Sequence, residues 1–213
     1  TEGERFPALN RLSEQLGLSV AKLREQLELA RGLGLVEVRP KTGIRKLPYT
    51  FTPAVRQSLL YGIATNPDLF DLFADLRGHI EAAYWFQAVA LLTPEDHAGL
   101  RTLIAQAWEK LRGDPVRLPH PEHRQLHLSI FKRLENPFVT GLLEAFWDSY
   151  EAVGLNLYED YSYLEHVWDY HQRMVEAICC GDFEAGYRAL VEHRELLRHR
   201  PSPHVARKME SKP

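Results

Sequence analysis

Residues 121–130 read PEHRQLHLSI, and residues 171–193 read HQRMVEAICCGDFEAGYRALVEH. Together they carry four histidines, His123, His127, His171 and His193. His123 and His127 are four apart, so on a helix they stack on one face. In the second stretch Gly181 reads as a helix stop and Asp182 as the N-cap of the next helix. His171 lies 10 residues before Gly181, and His193 lies 11 after Asp182. At about 1.5 Å per residue each is about 15–17 Å from the turn, so in an antiparallel hairpin the two imidazoles sit at one height and face each other. Two pairs of imidazoles, each preorganised by helix geometry, are what a metal site inside a helical bundle requires. Leu126, Ile130, Met174, Val175, Ile178, Ala189 and Leu190 recur at helical spacing, so the same helices are expected to bury an apolar face. A single helical histidine is ordinarily a packed or solvated side chain, and His79, His97, His120, His166, His199 and His204 keep that plain reading.

The rest of the composition bounds the setting. With 213 residues, 45% hydrophobic and 26% charged, the chain reads as an ordinary soluble globular protein with enough length for a core. No apolar run is long enough for a membrane span, and no signal peptide is recognised. Cys179 and Cys180 are adjacent within an expected helix, where they cannot easily pair. They read as buried or idle thiols of a reducing compartment, which places the protein in the cytoplasm. The net charge of −3 argues against bulk nucleic-acid binding, but the charge is uneven. Residues 1–47 hold nine Lys/Arg against six acids, +3, which leaves −6 for the remainder. A small basic head on an acidic body suggests two jobs.

Residues 7–16, PALNRLSEQL, predict a short helix through Leu9, Leu12 and Leu16. Gly17-Leu18-Ser19 is a turn with Ser19 as N-cap. A second helix is expected over 20–33, with Leu23, Leu27 and Ala30 inward and Lys22, Arg24 and Arg31 outward. Segments 35–39 and 44–48 flank Pro40-Lys41-Thr42-Gly43 and read as a hairpin. Helix, turn, helix and basic-tipped hairpin make a winged helix-turn-helix over residues 1–48. Residues 49–53 are a proline-bounded linker. Residues 54–200 read as helices alone, near 53–64, 67–92, 94–112, 121–135, 137–159, 161–180 and 182–199. The start Thr93-Pro94-Glu95-Asp96 has a capping threonine, proline at the first position and an acid three residues after the cap. Trp85, Trp108, Trp147 and Trp168 are expected in core or interface, and 201–213 is a polar tail.

Two resemblances cover nearly the whole chain. Pro7, Leu12, Leu16-Gly17-Leu18-Ser19, Arg24-Glu25, Leu27, Gly34-Leu35-Val36 and Gly43 resemble the DNA-binding head of GntR-type bacterial transcription regulators. The family usually has a basic residue after the turn serine, and here it is Val20. The family's first helix would precede Gly3, so the head is incomplete at its start. The body resembles the all-helical effector domain of the FadR-like branch, the FCD domain. It does so through Arg77-x-x-Ile80-Glu81, Leu126-His127 with Asn136 nine positions on, and His171-x-x-x-Val175-x-Ala177-Ile178-x-x-Gly181-Asp182-x-x-x-Gly186 followed by His193.

The resemblance implies a homodimer on a double-stranded DNA operator. Ser19, Lys22 and Arg24 would lead the second helix into the major groove, and Arg39, Lys41, Thr42 and Arg45 of the wing would meet phosphate or the minor groove. It also implies a divalent metal held by one aspartate and three histidines, the latter matching His127, His171 and His193. The aspartate position is His123 here. Four imidazoles leave the full +2 on the ion and favour Zn or Ni, with Cu or Co also suited, over Mg, Ca or Mn. Alternatively water or effector fills that place. Glu122 is about 100° round the helix and a poor substitute. A small organic acid beside the metal, attracted also by Arg77, would act as effector. Otherwise Arg77 is an i,i+4 ion pair with Glu81. A helical-bundle metalloenzyme is disfavoured, because no histidine has a glutamate three before it and no phosphate loop or nucleophile triad is present. A regulator with a purely structural metal is the remaining alternative.

Overall fold

The computed structural model describes residues 3–154 and 161–198. Helices α1 (Leu9–Leu16) and α2 (Val20–Gly32) precede an antiparallel hairpin of β1 (Val36–Arg39) and β2 (Gly43–Lys46). α1 stops where Gly17 takes the left-handed conformation at φ 67°, which costs a glycine little. α2 starts where Ser19 Oγ accepts the Lys22 backbone N–H at 3.2 Å. Leu23 is buried, Leu27 and Ala30 are half-buried, and Lys22, Arg24 and Arg31 face outward, as their spacing required. Residues 3–6 run along β2, with Phe6 N donating to Ile44 O at 2.9 Å. The result is a helix-turn-helix with a short wing.

The body is α3 (Thr52–Thr65), α4 (Leu69–Ala90), α5 (Pro94–Leu111), α6 (His120–Phe131), α7 (Pro137–Ala152), α8 (Tyr161–Cys180) and α9 (Phe183–Arg198). Caps set their starts. Thr93 and Asp96 form a reciprocal capping box before α5. Asn136 accepts from Phe138 N and Val139 N. Asp182 Oδ1 accepts from Ala185 N at 3.0 Å, just after Gly181 at φ 78°.

Two expected spans are too long. α6 ends at Phe131 rather than near 135, where the chain enters a turn with Leu134 N donating to Phe131 O at 3.2 Å and Glu135 in the left-handed conformation at φ 48°, which a helix does not accommodate. α7 ends at Ala152 rather than 159, with Gly154 at φ 77° two residues on; the expected continuation over 155–159 lies outside the described residues, as does the tail 201–213.

α8 and α9 form the antiparallel hairpin, with α5 against α8 and α4 against α9, α6 and α7. Leu126, Ile130, Met174, Val175, Ile178, Ala189 and Leu190 are all buried in one core. A second cluster of Ile63, Phe70, Phe146, Trp147 and Tyr150 joins α3, α4 and α7. Trp85, Trp147 and Trp168 are buried. Trp108 is half-buried and donates to Gln172 Oε1 at 2.8 Å. Trp85 donates to Phe183 O at 2.9 Å and lies against Gly186, where an added Cβ would come within 2.7 Å of the indole. The start of α9 is thus seated on α4. Among the described residues no helix is long and apolar enough to cross a membrane.

Gly186→Ala forces the indole or α9 to move, with an expected cost of about 1–3 kcal/mol, read as a lower urea midpoint. Asp96 yields a second expectation. It binds Arg133 and Lys132 at the end of α6, and these hydrogen bonds hold its carboxyl far below the usual carboxylate range. A depressed folded pKa contributes stability that is present above the unfolded value, about 3.9, and lost as pH falls towards the folded value. The advantage of the wild type over Asp96→Asn in urea unfolding should be full at pH 7 and shrink steadily below about pH 4.

Candidate metal centre and the basic face of the head

α6 supplies His123 and His127, α8 supplies His171 and α9 supplies His193. Their rings meet. The centroids of His171 and His193 are 4.4 Å apart, those of His123 and His171 4.6 Å, and those of His127 and His171 5.1 Å. One nitrogen from each ring lies within 4.8 Å of every other. His127, His171 and His193 are buried and His123 is half-buried. Trp147 stands 4.7 Å from His123 and Trp168 stands 4.9 Å from His171, centroid to centroid, so indoles wall the cluster.

The site's electrostatics follow from that enclosure. Loss of water, reinforced for His123, His171 and His193 by neighbouring imidazoles and for all four by the Arg77 guanidinium, holds their pKa values well below the ordinary histidine value. The rings are therefore neutral, and each has one nitrogen with a free lone pair. His127 Nε2 and His171 Nε2 are 3.1 Å apart. Either one donates a proton to the other or both give lone pairs to a shared cation. Two nitrogens about 2.0–2.1 Å from one ion lie roughly 2.9–3.4 Å apart in octahedral or tetrahedral geometry, so this spacing suits a first-row metal. His123 Nε2 and His171 Nδ1 are enclosed without a hydrogen-bond partner among the described residues, the kind of orphaned acceptor or donor that a bound group satisfies.

α4 presses a buried ion pair against this cluster. Arg77 and Glu81 are 2.9 Å apart, with 3% and 1% of their side chains exposed. Arg77 also lies over the Phe146 ring at 4.5 Å. Burial raises the Glu81 pKa and the Arg77 charge opposes that rise. Both side chains touch Nδ1 of His127, the guanidinium at 2.7 Å and the carboxylate at 3.0 Å. The spacing of Arg77 and Glu81 predicts their mutual pair. Their reach to His127 depends on how α4 crosses α6, and no local signal carries that. Glu122 is turned away and bonded to Lys110 at 2.6 Å, as its angular offset required. Cys179 is half-buried and Cys180 exposed, both unpaired thiols; Cys180 is thus at the surface rather than buried.

On the head, Lys22 and Arg24 are exposed on α2, while the Ser19 hydroxyl is engaged as its cap. Arg39, Lys41 and Arg45 are exposed on the wing, and Arg39 pairs with Glu37 at 2.9 Å. The Thr42 hydroxyl is turned inward and enclosed. Arg5 joins this face, because the bridge between Arg5 and Arg45 lays the N-terminal segment beside the wing. Its stretch has no periodicity, so no local signal in the sequence marks it.

The profile of the FCD domain matches residues 71–196, more than half the chain, and the chain belongs to that family. It is a transcription regulator of the GntR type. It is 27% identical over 196 residues to the uncharacterized HTH-type transcriptional regulator YieP of Escherichia coli (strain K12), covering 88% of this chain and 81% of that one. Its fold is shared by solved structures that include the following two. Streptococcus agalactiae GntR aligns with a TM-score of 0.62 at 18% identity, over 93% of this chain and 90% of that one. E. coli McbR/YncC aligns with a TM-score of 0.52 at 22% identity, over 92% and 85%.

Proposed function

We propose that this regulator is ligand-responsive, that its helical domain holds a divalent transition metal, Zn or Ni, through His123, His127, His171 and His193, and that a small carboxylate binds beside it. The observation that carries this reading is the convergence of four neutral, desolvated imidazoles from three helices on one point. A divalent metal there would supply a fixed +2 charge and Lewis acidity to which an anion is drawn. The chain's own contribution is rigid placement of the donors, exclusion of water by Trp147 and Trp168, and a buried guanidinium, Arg77, at the edge of the site. An all-nitrogen donor set favours Zn, Ni, Cu or Co over Mg, Ca or Mn.

In the same reading a homodimer binds a palindromic operator. Lys22 and Arg24 meet base edges, Ser19 positions the start of α2, and Arg39, Lys41 and Arg45 flank the DNA backbone, while the enclosed Thr42 hydroxyl shapes the wing tip rather than meeting DNA. Effector binding shifts the helix packing of the body and so the spacing of the two heads. One observation favours a second reading. Four protein ligands fill a tetrahedral sphere, as structural zinc sites do, and such a site has no open position for an effector.

Purified wild-type protein is expected to carry about one metal equivalent by elemental analysis, and His171→Ala close to none; equal contents would remove His171 from the site. Calorimetry with a panel of small carboxylates separates the two readings, because heat in the metal-loaded form alone supports the effector site and heat in neither form supports the structural metal. On DNA, Arg24→Ala is expected to weaken operator binding by about 1–3 kcal/mol with relaxed specificity, whereas Lys41→Ala weakens it on all sequences and lowers the salt slope by about one. Unchanged operator binding by Arg24→Ala would count against α2 as the reading helix.

A further inference from the structure

We infer that Glu81 and Arg77 tune the metal site from outside it and with opposite signs: Glu81 is a positioning residue that holds His127 as an Nε2 ligand, and Arg77 competes with it for the same atom. This rests on the metal reading above.

The two side chains meet at one nitrogen. Nδ1 of His127 has a donor, the Arg77 guanidinium, at 2.7 Å and an acceptor, the Glu81 carboxylate, at 3.0 Å. A neutral imidazole carries a single N–H, so it satisfies one of them at a time. With the proton on Nε2, Nδ1 accepts from Arg77 and Nε2–H points at His171 Nε2, 3.1 Å away. With the proton on Nδ1, that nitrogen donates to Glu81 and the Nε2 lone pair faces the other imidazoles. Only the second tautomer can give Nε2 to a metal. A carboxylate behind a ligating histidine fixes that tautomer and raises the ring's basicity, and loss of such a partner typically costs about 10–100-fold in metal affinity.

Charge acts in the same directions. The four imidazoles bring no negative charge to a dication, and His123 stands where the family resemblance places an aspartate. Glu81 is 1% exposed and touches the ligand set, so its charge is little screened. Arg77, 3% exposed and equally close, cancels that charge and repels a cation. With a dication bound, the metal replaces Arg77 as the counter-charge that keeps Glu81 ionised, so removing Arg77 removes a repulsion from the metal-loaded state.

The test is titration of Zn²⁺ and Ni²⁺ into chelator-stripped full chain against a competing chromophoric chelator, with folding checked by circular dichroism. Glu81→Gln is expected to weaken metal binding about 10–100-fold. Arg77→Met is expected to tighten it several-fold. A pair that merely supports the fold would weaken binding in both variants, and that result, or unchanged affinity in Glu81→Gln, overturns the inference. Nitrogen-15 spectra of the zinc-loaded wild type need no variant. They should show His127 with an exchange-protected Nδ1–H and a metal-bound Nε2, and a proton on Nε2 overturns the inference as well. His171→Ala separates the levels. If wild type and His171→Ala take up metal equally, or the wild type takes up none, the metal reading fails and this inference with it. If wild type binds and His171→Ala does not, a wrong sign in the Glu81 or Arg77 variants removes this inference alone.

Discussion

Four imidazoles are withdrawn from water and held within a few ångströms of one another by three helices, and much of the body is arranged around that enclosure. It is costly. A buried polar nitrogen without a partner costs about 1–3 kcal/mol, and His123 Nε2 and His171 Nδ1 are both in that position. A buried Arg77–Glu81 pair adds its own desolvation, which close contact only partly returns. A stretch designed for stability alone would place leucines there. The concentration of that cost at one point is what the proposed metal would account for.

The compensation is aromatic and aliphatic. Trp147 and Trp168 bury large surfaces against the cluster, and Trp85 is buried between α4 and the start of α9, the helix that bears His193. Trp85 reaches across to the start of α9 and fits only because residue 186 has no side chain. The height of His193 opposite His171 thus depends on a contact made seven residues earlier on the same helix. The walls that desolvate the imidazoles also lower their basicity, so enclosure keeps the lone pairs available in neutral solution. The head stands apart from this economy. Its one deeply buried helical side chain is Leu23, and its basic residues lie on the outside.

Much of this was legible in the chain. The caps Ser19, Thr93 and Asp182 and the stop at Gly181 act over a few residues, so they could be read locally, and each is found in place. The i,i+4 spacing of His123 and His127 and the symmetric placing of His171 and His193 about the turn are one-dimensional facts with one three-dimensional consequence. The over-long reading of α6 had a local cause too. The apolar period of 126–134 continues past Phe131, while the backbone turns there and Glu135 is left-handed, which apolar spacing does not signal.

What the order of residues determined by itself was the inventory: helices, their ends, the facing of their apolar stripes, and which imidazoles share a height. Tertiary structure decided which helices are neighbours. That Glu81 and Arg77 of α4 should converge on Nδ1 of a histidine in α6, that two indoles should close over the rings, and that Arg5 should lie beside the wing depend on contacts between residues far apart in the chain. Such contacts arise from the fit of whole helix faces, and no local spacing encodes that fit.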